Sequence, residues 1–369
     1  MPATPSNLQR TAARNIVTQY LKVRAGENAI IESWNHTMSL ASAMVDEVRR
    51  VGGHPLFVYE DEDAWWRAMD RNQSKLLGKS SAPEWAALRA ADVYVNFWGP
   101  GDTARIENLP DKPGNEAFAW NWPWYEVARK AGLRGGRMTF GFVTEGRAKQ
   151  WGVDRAKWEE SMLRATLTDP EELAKRGARL SRALTHGKRV RITHSNGTDL
   201  EVALAGGTPR VVDGRPHPYR KGDPDSGMLQ QIPAGTVDVV LDSKTAEGSF
   251  HANRRTNIWW NWHAGGTLEF AGGKLTSYSF ENGEKEFSRQ YKMGTAGKDR
   301  TSILKLGLNP AVKDVPNLET VEGGSVSLQI GGNRFLHGTN KSTFFSWFSL
   351  AGSELAIDGT PVIRAGKVL

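Results

Sequence analysis

Apolar residues at Ile16, Val17, Tyr20, Leu21 and Val23 fall on one face of a helix over 7–24. Ala25-Gly26-Glu27 stops it, and 28–32 reads as a short buried strand. Met38, Leu40, Ala41, Met44, Val45 and Val48 give a second amphipathic helix over 36–51, ended by Gly52-Gly53, and 55–59 is the next strand. A strand–helix–strand order calls for a right-handed crossover and a parallel sheet. Residues 91–97 and 137–142 read as two further strands, with 125–130 helical between them.

Helical patterning continues through 154–186 and then changes. Residues 189–194 alternate with period two, Ser195-Asn196-Gly197 makes a turn, and 198–204 returns as a strand. From there the chain reads as short strands separated by Gly, Asn and Asp turns. The pattern predicts an α/β N-terminal domain with a parallel sheet over 1–185, followed by a strand-rich α+β domain over 186–369 that carries the active cleft. The loop 205–226, with its Gly, Pro and Arg content, is the candidate lid.

Composition narrows the function. In 369 residues there is no cysteine, which excludes disulfides, thiolate metal sites and a Cys nucleophile. No apolar run approaches the length of a membrane span, and no charged-then-apolar leader opens the chain, so the expected location is the cytoplasm with no membrane partner. The net charge of +7 is spread among Asp and Glu with no basic run of five, which fits a mixed solvated surface rather than a nucleic-acid footprint. A local cationic pocket for an anionic substrate is also compatible with it. Fourteen Trp include Trp120, Trp122 and Trp124 in one expected loop, a candidate subunit interface, and Trp259, Trp260 and Trp262 in one expected strand. Core packing and an aromatic-walled pocket both account for them.

Several segments taken together resemble the aminopeptidase T (M29, thermophilic metalloprotease) family. Arg24 to Ile31 is similar to its "kxGexxlI" and Gly53-His54-Pro55-Leu56 to its "Gaxpv". Asn196-Gly197-Thr198-Asp199-Leu200 matches its "GTDL" hairpin, and Gly227 to Val237 resembles its "NLPxGEV". Ala246-Glu247-Gly248-Ser249, Leu306 to Pro310 and Ile357-Asp358-Gly359 resemble its "xEG", "laiGxNp" and "iDG". Order and spacing over nearly the whole chain carry the resemblance. It implies a metallopeptidase scaffold, subunit association into a homo-oligomer, and a paired-metal centre of two Glu, two His and an Asp.

Carried over position by position, those ligands fall on Thr236, Lys305, Ser327, Phe345 and Trp347. Divalent metals take carboxylate oxygens or His nitrogens, and none of these five supplies either. The expectation is therefore no metal and no cofactor at the inherited place. Related chains of the superfamily resemble 2,5-dihydroxypyridine dioxygenase, whose iron is held by two His and an Asp at the same places, so oxygenase chemistry is disfavoured too.

A general base with fixed cationic donors can activate water and hold developing negative charge in place of a metal. The candidate catalytic residues are His251, Arg254, Lys305 and His337, with Asp242 or Glu247 orienting His251. Arg255, Trp259, Phe345, Trp347, Thr236 and Ser327 are the candidate substrate contacts. Surface ion pairing of Arg254 and Arg255 around a solvated His251 is the plainer alternative, and His263 reads as a structural histidine. The function expected is metal-independent hydrolysis of a small, flat, heteroaromatic molecule, displacing nitrite, ammonia or halide, with a nitroimidazole-type ring as one instance. The alternatives are an M29-type metallo-aminopeptidase with ligands elsewhere and a non-catalytic binding protein on the same scaffold.

Overall fold

The computed structural model describes residues 4–102, 105–106, 108–221, 225–258 and 261–369. The chain forms two compact units, 1–167 with 214–233 and 168–213 with 234–369. This partition differs from a single cut at 185 in two respects. The helix Pro170–His186 belongs to the second unit, because Leu173, Leu180 and Leu184 complete its core. The stretch 214–233 returns to the first unit.

In the first unit, β1 (Asn28–Trp34), β2 (His54–Glu60), β3 (Val93–Phe97) and β4 (Arg134–Met138) form a parallel sheet, with β8 (Leu229–Ile232) added beside β4. The strand order is β2-β1-β3-β4-β8, so the direction of winding reverses between β1 and β3. Ile30 and Tyr94 pack with Leu88 and Trp124 from the helices Ala82–Ala90 and Asn121–Ala131. Ser81 and Glu84 cap the first of these helices reciprocally, and Gly132, at φ 70°, ends the second.

The second unit is built on two antiparallel sheets. One joins β5 (Arg189–Thr193), β6 (Asp199–Ala203), β10 (Glu247–His251), β13 (Thr267–Ala271), β14 (Lys274–Ser279), β18 (Glu354–Ile357), β19 (Thr360–Arg364) and β20 (Lys367–Val368), in the order β14-β13-β10-β6-β5-β18-β19-β20. The other joins β7 (Arg210–Val212), β9 (Thr236–Val240), β15 (Thr301–Gly307), β16 (Val326–Gly331) and β17 (Phe345–Leu350), in the order β17-β16-β15-β9-β7. A small hairpin pairs β11 (Thr256–Ile258) with β12 (Asn261–His263).

Alternate residues of the five-stranded sheet, among them Val237, Leu304, Leu306, Leu328 and Phe348, share one core with Val190, Ile192, Val202, Phe250 and Leu268 of the other sheet. Each such fully buried side chain contributes about 1.5–3 kcal/mol. The opposite face of the five-stranded sheet is left with a different, largely polar set.

The fold class is as the pattern predicts: parallel α/β first, strand-rich and antiparallel after. Some elements differ. The strand expected at 137–142 is shifted to 134–138, and Thr139–Phe142 is a 3₁₀ turn. Gly135 and Gly136 hid this strand, although a Cβ on Gly135 would lie 1.9 Å from the Tyr94 carbonyl oxygen, so the close approach to β3 requires glycine. The Trp-rich loop 119–125 is helical from Asn121, with Trp124 buried. The single strand expected across 259–263 gives way to the β11–β12 hairpin; Trp259 and Trp260 lie outside the described residues. Part of the expected lid 205–226 is β7, paired to β9. Among the described residues no helix is long and apolar enough to cross a membrane.

Candidate functional site

Register across the five-stranded sheet places Arg210, Asp238, Lys305, Ser327 and Ser349 directly opposite one another, one per strand. Residues paired in this way share a face. Alternation adds Thr236 two residues before Asp238 on the same face, and Trp347 and Phe345 before Ser349. The polar face therefore gathers all five positions onto which the resemblance carries the family's ligands: Thr236, Lys305, Ser327, Phe345 and Trp347.

Lys305 Nζ donates to Asp238 Oδ2 at 3.0 Å and lies 4.6 Å from the centroid of the Trp347 ring. Thr236 Oγ1 donates to the other carboxylate oxygen at 2.7 Å. Asp238 is 3% exposed and Lys305 19%, so the pair has little solvent screening on the carboxylate side and an opening on the ammonium side. The hydroxyls of Ser327 and Ser349 share a hydrogen bond of 2.7 Å beside it. Phe335 packs against Phe345 and Trp347, with ring centroids 5.9 and 6.5 Å apart, forming an aromatic wall.

A two-metal centre does not fit this donor set. Asp238 is the one carboxylate in the row and is bonded to an ammonium, and among the described residues no three His, Asp or Glu converge on a point.

The other candidates stand elsewhere. His251 lies on β10 in the eight-stranded sheet, its Nδ1 3.1 Å from Thr267 Oγ1. Asp242 accepts from the Lys244 amide and Glu247 from the Gly272 amide, so neither orients His251 as expected. Arg254 forks onto Glu322, with Nε–Oε2 2.8 Å and Nη2–Oε1 2.9 Å, and its main-chain amide donates to the Ser349 carbonyl. Its guanidinium is thus committed to a buried carboxylate, close to the plainer ion-pair reading. Arg255 follows it in the same loop. His337 is exposed and ends the short turn that carries Phe335, at φ 60°.

His263 is buried against Phe280, Phe287 and Phe348 and shares a hydrogen bond with Ser346 Oγ at 3.1 Å. Burial pushes its imidazole down to about 3, so it is a neutral core residue.

Asp238 is the residue that sequence reasoning missed. The signal was present: it follows Thr236 by two in a strand and so shares its face, but the resemblance drew attention to the inherited position alone.

No family model matches the sequence, and no curated protein matches it. Solved structures do match in shape. AmpT from Thermus thermophilus superposes with a TM-score of 0.72 at 17% identity, covering 98% of this chain and 99% of that one. 2,5-dihydroxypyridine dioxygenase from Pseudomonas putida KT2440 superposes with a TM-score of 0.64 at 14% identity, covering 99% and 98%. The chain thus has the two-part fold of aminopeptidase T throughout its length, a scaffold that in these two proteins bears different names and activities.

Proposed function

We propose that this protein is a hydrolase built on the aminopeptidase T scaffold, acting on a small flat heteroaromatic molecule without a protein-held metal. The arrangement of Lys305 between the Asp238 carboxylate and the Trp347 ring carries the reading. An aromatic wall and a fixed ammonium suit a flat, electron-poor ring that gathers negative charge on attack. Asp238 is the carboxylate beside the cation. It accepts a proton from water as the water oxygen bonds to a ring carbon; the leaving group, nitrite or halide, departs with the bonding electron pair, and Lys305 holds the charge that builds up on the ring. Thr236 fixes the carboxylate's orientation. Fold-level likeness to AmpT supports hydrolysis only by analogy.

Elemental analysis of protein purified without metal-capturing tags tests the metal part. Less than about a tenth of an equivalent of Zn, Mn, Co or Fe, with turnover of a nitro- or halo-substituted heteroaromatic that Lys305→Ala abolishes, is the expected result. One or two equivalents, lost together with peptidase activity on chelation, would overturn it in favour of a metallo-aminopeptidase.

A further inference from the structure

The parallel sheet of the first unit has a second polar row. Register places Glu32 of β1, Asn96 of β3 and Arg137 of β4 side by side on one face, near the carboxyl ends of their strands. One step earlier on that face, Ile30, Tyr94 and Leu229 are buried beneath the helices Ala82–Ala90 and Asn121–Ala131. At the row itself Glu32, Asn96 and Arg137 are each half-buried. Glu32 nevertheless lies deep enough for burial, followed by its carboxylate neighbours Glu60 and Glu84, to push its carboxyl up to about 7 against the pull of the Tyr94 hydroxyl. The row lies where strand order reverses between β1 and β3, the place where open α/β sheets take ligands.

Its chemistry is two-sided. The Tyr94 hydroxyl donates to Glu32, and among the described residues no cation pairs with that carboxyl. Asn96 Oδ1, beside it, is shielded from solvent and meets no protein donor. Glu60 and Glu84 add negative potential to the same end. At the other end the Arg137 guanidinium lies 5.6 Å from the Trp98 ring and 5.5 Å from the Tyr125 ring, and donates to the Tyr125 hydroxyl. Adjacent strands are about 4.8 Å apart, so the acid and the guanidinium spring from backbones about 10 Å apart, with Asn96 on the strand between them. An unpaired carboxyl beside an unpartnered carbonyl oxygen suits the ammonium of a ligand, which donates to both.

We propose that this polar row is a second ligand site, independent of the Lys305 face, for a small zwitterion of the α-amino-acid type. The ligand's ammonium bonds Glu32 and Asn96 Oδ1, its carboxylate bonds Arg137, and its side chain rests on the Trp98 and Tyr125 rings. An ammonium against Glu32 favours the ionised acid, so binding near neutral pH releases a proton.

Isothermal titration of the full chain at pH 7 tests this, with L-phenylalanine and L-leucine as probes and phenethylamine and 3-phenylpropionate as analogues that each keep one charge. The expected result is that an amino acid binds at least about tenfold more tightly than either analogue, with heats that differ between phosphate and Tris because a proton is released. Glu32→Gln is expected to weaken it at least about tenfold and remove the buffer dependence, and Arg137→Lys to weaken it while leaving the proton release. Two outcomes overturn the proposal: neither amino acid binds at millimolar concentration, or binding survives both variants and is lost in Lys305→Ala, which places the ligand on the other unit.

Discussion

Lys305 and Asp238 are directly opposed in the β9–β15 register, and their side chains meet at 3.0 Å over the polar face of the sheet. Removing the ammonium strands a carboxylate that is 3% exposed, so Lys305→Met should cost about 3 kcal/mol of stability. Asp238→Asn keeps the shape and removes the proposed proton acceptor, and turnover should fall by about 10²- to 10⁴-fold with a smaller stability change. The double variant Lys305→Met, Asp238→Leu separates the two effects. It should recover most of the stability in chemical denaturation and none of the turnover; recovered turnover would remove the pair from the mechanism.

Arg254 and Glu322 form a two-pronged ion pair of their own, with both side chains largely buried. The pair ties the 253–255 arm to Glu322, so Arg254→Ala and Glu322→Gln should each destabilise by about 3 kcal/mol, and together by much less than the sum. Thermal melts of the two single variants and the double variant give the coupling. A loss of turnover with an unchanged melt in Arg254→Ala would return that residue to the catalytic set.

His263 is held neutral by burial, down to about 3. The unfolded chain binds a proton at this residue near its ordinary value of 6.5 while the folded chain does not, so the contribution to stability is full above 6.5 and is lost as pH falls towards 3. Its ring ¹H–¹⁵N signals should stay those of a neutral imidazole from pH 8 to pH 4.5. His263→Phe should flatten the acid limb of stability against pH.

Glu319 has the opposite sign. Burial, with Asp314 and Glu322 adding repulsion, pushes its carboxyl up to about 8, although the Asn317 amide donates to it at 2.9 Å. The folded chain holds this proton more tightly than the unfolded chain. Stability is therefore full below 4.5 and declines as pH rises through 8. Glu319→Gln should flatten the alkaline decline measured by denaturant unfolding between pH 6 and 9. An unchanged slope would mean that Glu319 is ionised in the folded protein.

Elements that bury one face were legible along the chain. The period-two runs of β5 and β6 with a Gly197 turn between them specify a hairpin, and the helix over 38–50 follows from its apolar stripe. β4 was misplaced because Gly135 and Gly136 carry no side-chain pattern; their reason for being there is the Tyr94 carbonyl of another strand. The helix at 125–130 was legible, but its first turn from Asn121 read as a loop because Trp122, Pro123 and Trp124 carry no simple helical spacing, whereas the contact of Trp124 with Tyr94 comes from 30 residues upstream.

For the site, sequence order singled out Thr236, Lys305, Ser327, Phe345 and Trp347, and alternation in a strand already implied that Asp238 faces the same way as Thr236. Local chain pattern determines which side of its own strand a residue takes, because successive side chains point to opposite faces. Which strands lie next to each other is a matter of long-range pairing. Only the tertiary structure decided that Lys305 meets Asp238 from 67 residues away, that Arg254 meets Glu322, and that His251 belongs to a different sheet.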